Sequence, residues 1–143
     1  MPTISFSTHC AADLTTAFDY VAEATNTPKW FFGIKKFEPT TSQTRGLGAT
    51  FDVVVQIGAS LKTVVKCTEY VENEVFKVES IKGFENSSRW TFAAHPDGGT
   101  DLHVDFSYSL GKGLAAAALG KLVEPGMAIT VKHTANSLAE QLR

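Results

Sequence analysis

The chain begins with alternating apolar and polar residues, the period-two pattern of a β-strand with one buried face. Ile4 and Phe6 alternate with serines, which predicts a first strand from about Thr3 to His9. From Ile34 to Leu110 the alternation continues almost without a break and predicts about six further strands. Turn residues separate several of them at Gly58, at Glu72-Asn73-Glu74 and at Pro96-Asp97-Gly98-Gly99.

The segment between the first two strands has a helical pattern. Apolar residues recur every three or four positions behind Asp13, a residue suited to capping a helix, so a helix is predicted over 13–22. Pro28 disfavours helix at the residue before it. A second short helix or turn is therefore expected to bring the aromatic run Trp30–Phe32 to the core.

The alternation also assigns the two faces of each strand, because a slip of one residue would reverse every side chain. The residues predicted to be buried include Val53, Val65, Phe92, Val104 and Phe106. Those predicted to be exposed include Asp52, Lys66, Arg89, His103 and Asp105. Consecutive strands with short turns form an antiparallel sheet, whose apolar face another element must cover.

The C-terminal part of the chain carries one apolar stripe at helical spacing. Its members are Val123, Met127, Val131, Ala135, Leu138 and Leu142. Pro125-Gly126 is expected to mark either the first turn of this helix or a kink after the alanine-rich segment Leu114–Leu122. This helix offers the largest apolar surface to cover the sheet. Because a helix and a twisted sheet differ in curvature, space is expected between them at one end.

Together these elements predict an α+β fold, with a curved antiparallel sheet of about seven strands around a long C-terminal helix. Two short helices follow the first strand. Of the 143 residues, 43% are hydrophobic and 20% are charged, as in ordinary globular proteins. A single domain over 1–143 is therefore expected.

Charge and cysteine content exclude several classes of function. The net charge is -2 and the basic residues are dispersed, so nucleic acid is not expected as a partner. Cys10 and Cys67 have no companions at metal-ligand spacing, and residues 1–5 do not begin a secretory signal, which favours a reducing, cytoplasmic location. The apolar run Leu114–Leu119 is much shorter than the about 20 residues of a membrane-spanning helix, so no stable membrane insertion is expected. The oligomeric state is left open.

Several short motifs, taken in order, resemble the START-related (SRPBCC) superfamily of polyketide cyclase/dehydrase-like and lipid-transfer domains. They are residues 11–13 leading into 17–22, Asn26-Thr27-Pro28-Lys29-Trp30, residues 46–51, Pro96-Asp97-Gly98-Gly99-Thr100 and residues 138–142. The resemblance covers essentially the whole chain and implies a helix-grip fold, with an apolar ligand cavity between the sheet and the terminal helix. The superfamily includes carriers, cyclases, hormone receptors and quinone-binding proteins, so the motifs are more specific for fold than for function.

The polar residues form no pattern typical of catalysis. His103 and Asp105 are assigned to the outer face of the last strand, and His9 and His95 to strand ends near turns. The sequence has no Gly-x-Ser-x-Gly elbow, no His/Cys/Asp/Glu cluster at metal-ligand spacing and no complete glycine-rich nucleotide loop. No catalytic residue, metal or cofactor is therefore predicted.

The inward-facing side chains instead predict a binding site for an apolar small molecule. The predicted ligand-binding residues are Trp30, Phe51, Val53, Thr63, Val65, Phe76, Val78, Trp90, Phe92, Val104, Phe106, Tyr108, Met127 and Val131. Small or weakly polar residues such as Cys67 and Ala94 share these faces and cannot fill a wide gap between helix and sheet. Tyr108 and Thr63 are the candidates for orienting hydrogen bonds.

The leading hypothesis is a non-enzymatic binding or carrier protein for a hydrophobic small molecule, such as a lipid, quinone or polyketide-like compound, as the resemblance implies. The first alternative is an enzyme of the cyclase, aromatase or dehydratase type, which needs an acid or base in the same cavity. Its candidate residues are Tyr108, Glu69 and, at the rim, His133 or Arg45. The second alternative is a protein-interaction module, which an exposed apolar patch would favour.

Overall fold

The computed structural model describes residues 3–31 and 33–143, apart from the side chain of Ala128. Phe32, a member of the predicted aromatic run, lies outside the described residues. The elements are β1 (Thr3–Cys10), α1 (Leu14–Ala22), a 3-10 turn (Ala24–Asn26), α2 (Thr27–Trp30), β2 (Ile34–Pro39), β3 (Thr50–Ile57), β4 (Ala59–Val71), β5 (Val75–Gly83), β6 (Glu85–Ala94), β7 (Thr100–Ser109) and α3 (Leu114–Gln141).

The seven strands form one antiparallel sheet in the order β1-β7-β6-β5-β4-β3-β2. Strands β2 to β7 follow one another as a meander, and β1 pairs with β7 at the far edge. The α3 helix contacts β1, β3 and β4, so it lies across the inner face of the curled sheet. The predicted α+β fold, with its long C-terminal helix and short helices after the first strand, is confirmed.

Local sequence signals account for the ends of these elements. Asp13 caps α1, because its Oδ1 accepts a hydrogen bond from the backbone N–H of Thr16 at 2.9 Å. Asn73 adopts a φ of 64° in the β4–β5 turn, a conformation that asparagine tolerates better than most residues. Gly58 in the β3–β4 turn lies against the Leu122 carbonyl of α3, and a Cβ at this position would clash with it. The close contact between this turn and α3 therefore requires glycine at position 58.

The predicted faces of the strands are confirmed, with two residues in intermediate positions. Val53, Val65, Phe92 and Val104 are buried, and Asp52, Lys66, Arg89 and His103 are exposed. Phe106 and Asp105 are both half-buried. Asp105 lies on the outer face, where its carboxylate accepts a hydrogen bond from the Ser5 hydroxyl at 2.6 Å.

A β-bulge in β4 corrects the predicted orientation of Glu69. The pairing of β4 with β5 shifts between Cys67 and Glu69, so that Thr68 is the extra residue. The alternation of faces is reversed beyond the bulge. Glu69 consequently points outward, where its carboxylate accepts a hydrogen bond from Arg89 Nε at 2.9 Å, and Tyr70 packs against the core.

The terminal helix is continuous, which corrects the expectation that it begins or kinks at Pro125. Pro125 lies inside α3, and the helix extends from Leu114 to Gln141. The buried side chains of its inner side are Val123, Met127, Thr130, Thr134 and Leu138, and the C-cap residue Leu142 is buried as well. Val131 and Ala135, which belonged to the predicted stripe, are only partly buried. Steps of four residues advance about 40° around a helix of 3.6 residues per turn, so an unbroken i, i+4 series drifts off the inner side.

The length and apolarity of α3 also satisfy the usual criteria for a membrane-spanning helix, with a hydropathy of 1.4 over 18 residues. The apolar helix is therefore much longer than the segment Leu114–Leu119 that the sequence indicated. The share of that window that is buried is 18%, and the buried residues lie on the side of α3 that faces the sheet.

The buried residues form two clusters that meet at β6 and β7. The filled cluster lies under α1, α2 and the end of α3, and consists of Cys10, Ala17, Phe18, Val21, Trp30, Trp90, Phe92, Leu102, Val104, Leu138 and Leu142. The aliphatic cluster lies over β2 to β4, and consists of Ala24, Ile34, Ala49, Phe51, Val53, Val55, Ile57, Val65, Cys67, Tyr108, Val123 and Met127.

Candidate functional site

An internal cavity separates the middle of α3 from the inner face of the sheet. Its volume is about 70 Å³. The lining residues are Phe6, Phe31, Ile34, Phe37, Val53, Val55, Ile57, Leu61, Thr63, Val65, Val78, Phe84, Asn86, Ser88, Trp90, Val104, Phe106, Val123, Met127, Thr130, Val131 and Thr134. The cavity thus borders mainly the aliphatic cluster, with Trp90 and Val104 forming the boundary to the filled cluster.

Nine of the predicted ligand-binding residues lie around this cavity. They are Val53, Thr63, Val65, Val78, Trp90, Val104, Phe106, Met127 and Val131. The structure places the other five elsewhere. Trp30 and Phe92 belong to the filled cluster, Phe51 and Phe76 line a separate pocket of about 40 Å³ beside Arg45, and Tyr108 lies near the start of α3.

The cavity also contains residues that were not predicted. Asn86 and Ser88 alternate with Trp90 on the inner face of β6, so their positions were readable from the period of two. Ile34 and Phe37 have no such signal, because the pairing of β2 with β3 shifts between residues 34 and 36. Thr130 and Thr134 are polar residues on an apolar stripe, and only the packed helix shows that they face inward.

A small network of hydrogen bonds forms the polar part of the cavity wall. The side-chain Nδ2 of Asn86 donates to the Phe84 carbonyl at 2.8 Å and to Thr63 Oγ1 at 3.2 Å. The Thr63 hydroxyl lies 2.8 Å from the Phe84 carbonyl and 3.2 Å from the Lys82 carbonyl, either of which accepts its proton. The backbone N–H of Asn86 donates to Ser80 Oγ at 3.0 Å. Both amide protons of the Asn86 side chain are therefore used within the protein.

Two further hydroxyl groups occupy the cavity wall. Ser88 Oγ accepts a hydrogen bond from Trp90 Nε1 at 3.1 Å, which fixes the indole against β6. Thr130 donates to the Gly126 carbonyl of its own helix at 2.8 Å. Thr130 is thus satisfied within α3, whereas the Ser88 hydroxyl proton has no acceptor among the described residues.

None of the described residues that line the cavity has an ionisable side chain. Glu69, one of the candidate proton-transfer residues, faces outward, and its hydrogen bond with Arg89 lowers the pKa of its carboxyl group. Tyr108 lies outside the cavity, and burial raises the pKa of its phenol. A raised pKa keeps the hydroxyl group of Tyr108 protonated at neutral pH.

The two candidates at the rim also lie away from the cavity. Arg45 pairs with Asp19 at 2.9 Å and lies within 3.8 Å of a Glu72 carboxylate oxygen. The Asp19 hydrogen bond is the main cause of the raised pKa of Arg45. His133 is on the exposed side of α3. The geometry therefore brings none of the four candidate acids and bases to the cavity wall.

The structure brings together a group of histidines and carboxylates that the sequence spacing did not predict. His9, His95 and Asp101 each place one potential metal-ligand atom within 4.8 Å of the others. Both ring nitrogens of His9 already face carboxylates, with Nε2 2.9 Å from Asp97 and Nδ1 2.9 Å from Asp101. The Asp101 hydrogen bond is the main reason why the pKa of His9 is raised. As it stands, this group is an ion-pair network that ties β1 to the β6–β7 hairpin, and a metal ion would have to displace the His9 proton.

The outer side of α3 exposes three large apolar residues, which form the exposed stripe. Leu114 is 91% exposed, Leu122 is 58% exposed and Ile129 is 55% exposed. Their spacing of seven to eight residues places them on one side of the helix, opposite the cavity. This is the type of surface that the interaction-module alternative requires.

Comparison with known proteins identifies the family. The chain matches the family described as "Polyketide cyclase / dehydrase and lipid transport" over residues 1–143. Comparison with curated protein sequences gives no match.

The fold has close relatives among solved structures. Protein TTHA0849 from Thermus thermophilus superposes with a TM-score of 0.80 at 16% identity, covering 99% of this chain and 97% of that chain. A START superfamily protein from Mycobacterium smegmatis gives a TM-score of 0.76 at 20% identity, covering 98% and 96% of the two chains. The di-domain ARO/CYC protein StfQ from the steffimycin biosynthetic pathway gives 0.68 at 16% identity, covering 97% of this chain and 44% of that chain. With the match to the whole sequence, these structures confirm the START-like resemblance: the chain belongs to the polyketide cyclase / dehydrase and lipid transport family.

Proposed function

We propose that this protein binds or carries a hydrophobic small molecule, such as a lipid, quinone or polyketide-like compound, in the cavity between α3 and the sheet, as a soluble cytoplasmic protein. The observation that carries the proposal is the chemistry of the wall, which is apolar except for a few neutral polar groups. Burial of apolar ligand surface, at roughly 25 cal/mol per Å², supplies the affinity. The neutral polar groups orient the ligand.

The composition of the wall favours binding over catalysis. Cyclisation and dehydration move protons, and a side chain that moves them must reach the substrate and have a suitable pKa. The hydroxyl groups of Thr63 and Thr130 already have acceptors inside the protein. Together with the lack of ionisable groups among the described lining residues, this supports a carrier rather than a cyclase.

The size of the cavity restricts what fits without rearrangement. Its volume of about 70 Å³ is well below the about 300 Å³ at which drug-sized ligand sites begin. A small ring or a short alkyl segment fits the cavity as it stands, and a larger ligand must displace lining side chains. Met127 is suited to such movement, because its unbranched side chain adapts to irregular spaces.

Titration with an uncharged, environment-sensitive dye such as Nile red tests the proposal. We expect about one equivalent to bind and to change the fluorescence of Trp90, which lines the cavity. Trp30→Phe should retain most of this response, since Trp30 does not line the cavity, whereas Trp90→Phe should reduce it more strongly. Native mass spectrometry of the protein as purified provides a second readout, because a tightly held apolar compound survives isolation.

Absence of binding for dyes of several sizes, on protein shown to be free of ligand, would contradict the proposal. The exposed stripe of α3 favours the second candidate function, a protein-interaction module. Ile129→Lys separates the two functions. It should leave dye binding intact if the cavity is the functional site, and it should abolish association with another macromolecule if the stripe is.

A further inference from the structure

We infer that the ligand of this cavity carries a hydroxyl group, and that Asn86 Oδ1 accepts its proton. This inference rests on the proposed binding function and narrows the class of ligand to apolar alcohols or phenols. It arises from the one hydrogen-bonding atom of Asn86 that the protein leaves unused.

The orientation of the Asn86 amide follows from its neighbours. Its nitrogen lies 2.8 Å from the Phe84 carbonyl oxygen. A carbonyl oxygen only accepts hydrogen bonds, so the atom facing it must be the NH2 group, since the flipped amide would bring two oxygens together. The second amide proton points to Thr63 Oγ1 at 3.2 Å. The amide oxygen is therefore the free end of the side chain.

This oxygen has no donor among the described residues, although the residue is buried. Asn86 is only 8% exposed and lines the cavity. Trp30 Nε1 and Asn73 Oδ1 are fully enclosed polar atoms without a partner, and Asn86 Oδ1 is not among them. When an apolar ligand fills the cavity and excludes water, an acceptor left without a partner costs free energy. A ligand that donates a hydrogen bond to Asn86 Oδ1 avoids that cost.

The rest of the wall selects the same kind of ligand. A ligand carboxylate would meet the partial negative charge of Asn86 Oδ1, and no described lining residue carries a compensating positive charge. A hydroxyl group can donate to Asn86, and its oxygen can still accept a hydrogen bond. The Ser88 hydroxyl, whose own oxygen accepts from Trp90, has a proton to offer two residues along the same face of β6.

A pair of ligands of equal size tests this assignment on the unmodified protein. The pair is 4-ethylphenol and 1-ethyl-4-fluorobenzene, which differ only in the replacement of O–H by fluorine, and both compete with Nile red. We expect the phenol to bind at least about fivefold more tightly, the value of one ordinary net hydrogen bond. Equal affinities would overturn the inference while leaving the proposed function intact. Failure of both ligands to compete would instead contradict the proposed function.

Variants then assign the effect to the residue. Asn86→Leu, which removes the amide and keeps the branch at Cγ, should bind both ligands with equal affinity. Ser87→Ala is the matched control, because Ser87 lies next to Asn86 but on the opposite face of β6. This control should keep the full preference for the phenol. If Asn86→Leu does not fold, the ligand pair on the unmodified protein still decides the question. A folded Asn86→Leu that retains the preference would refute the role of Asn86.

Discussion

The two buried clusters cover the same sheet under the same helix, yet one is filled and the other encloses a cavity. In the filled cluster Phe18 is fully buried, and its ring centroid lies 5.0 Å from that of Phe92 and 5.6 Å from that of Tyr70. In the aliphatic cluster most of the buried residues are not aromatic, such as Val53, Val65 and Met127. The difference lies in what is added between helix and sheet. On one side α1 inserts the fully buried Phe18, whereas on the other Phe31, at the C-cap of α2, is only partly buried and lines the cavity.

This difference shows why the inner side of α3 serves two purposes. Leu138 is fully buried in the filled cluster, where it contributes to stability. Met127 and Val131, two to three turns earlier, line the cavity. Substitutions on the same helix are therefore expected to have opposite consequences for stability and binding.

The largest expected effect is that of removing the aromatic residue that fills the first cluster. Phe18→Ala should lower the free energy of unfolding by about 3–5 kcal/mol, because the cavity left behind cannot collapse among rigid rings. Met127→Ala removes a side chain beside an existing cavity. Its loss in the free energy of unfolding should lie at or below the lower end of the about 2–5 kcal/mol range for such truncations. Urea unfolding of both variants measures the difference. Equal losses would show that the two clusters are packed alike.

A matched pair of enlargements on α3 sharpens the comparison. Leu138→Phe should cost about 1–3 kcal/mol, the usual result of overpacking a filled core. Val131→Phe, and likewise Met127→Trp, should leave the melting temperature nearly unchanged or raised and should abolish dye binding, because the larger side chain occupies the cavity. Ile129→Phe is the exposed control and should change neither property. A marked fall in the melting temperature of Val131→Phe would show that this position is already filled.

The smallest effect on stability is expected outside the filled cluster, in the ion-pair network of His9 with Asp97 and Asp101. The two carboxylates raise the pKa of His9 above its ordinary value of 6.5 in the folded protein. This stabilisation is fully present below about pH 6.5 and is lost as the pH rises through the raised value. His9→Gln should therefore melt below the parent at pH 6, and the gap should narrow by pH 9. Asp101→Asn, which keeps the imidazole, should also lose part of this pH dependence, and dye binding should be unchanged in both variants.

Identical pH profiles for the parent and His9→Gln would show that the network contributes nothing to stability. The ligand preference predicted for Asn86 is independent of this test, because His9 lies on the outer face of the sheet and Asn86 on the inner face.

The sequence predicted the sheet well because a period of two assigns every residue of a regular strand to a face. Val53, Val65 and Val104 accordingly lie where the alternation placed them. The same rule failed at Glu69, because a bulge adds one residue and reverses the faces beyond it. On α3 the predicted i, i+4 series included Val131 and Ala135, which are only partly buried, and did not include Thr130, which is buried.

The site was less predictable than the fold for a physical reason. All inward aromatic residues have the same sequence pattern, whether they fill a core or line a cavity. Phe92 lies against Phe18 of α1, a contact between segments far apart in the sequence, and this contact removes it from the cavity. The inward position of Asn86 could be predicted from its alternation with Trp90. Its role could not, because which atom of its amide is free depends on hydrogen-bond partners that only the structure shows.

Methyl-resolved NMR during titration with 1-ethyl-4-fluorobenzene tests the central claim most directly. The methyl groups of Val53, Val65 and Met127 should shift and saturate at one equivalent of ligand, since they line the cavity. The methyl groups of Leu102 and Leu138, in the filled cluster, should shift little. Saturable shifts centred on the filled cluster or on the exposed stripe of α3, or no shifts at all, would contradict the assignment of the cavity as the ligand site.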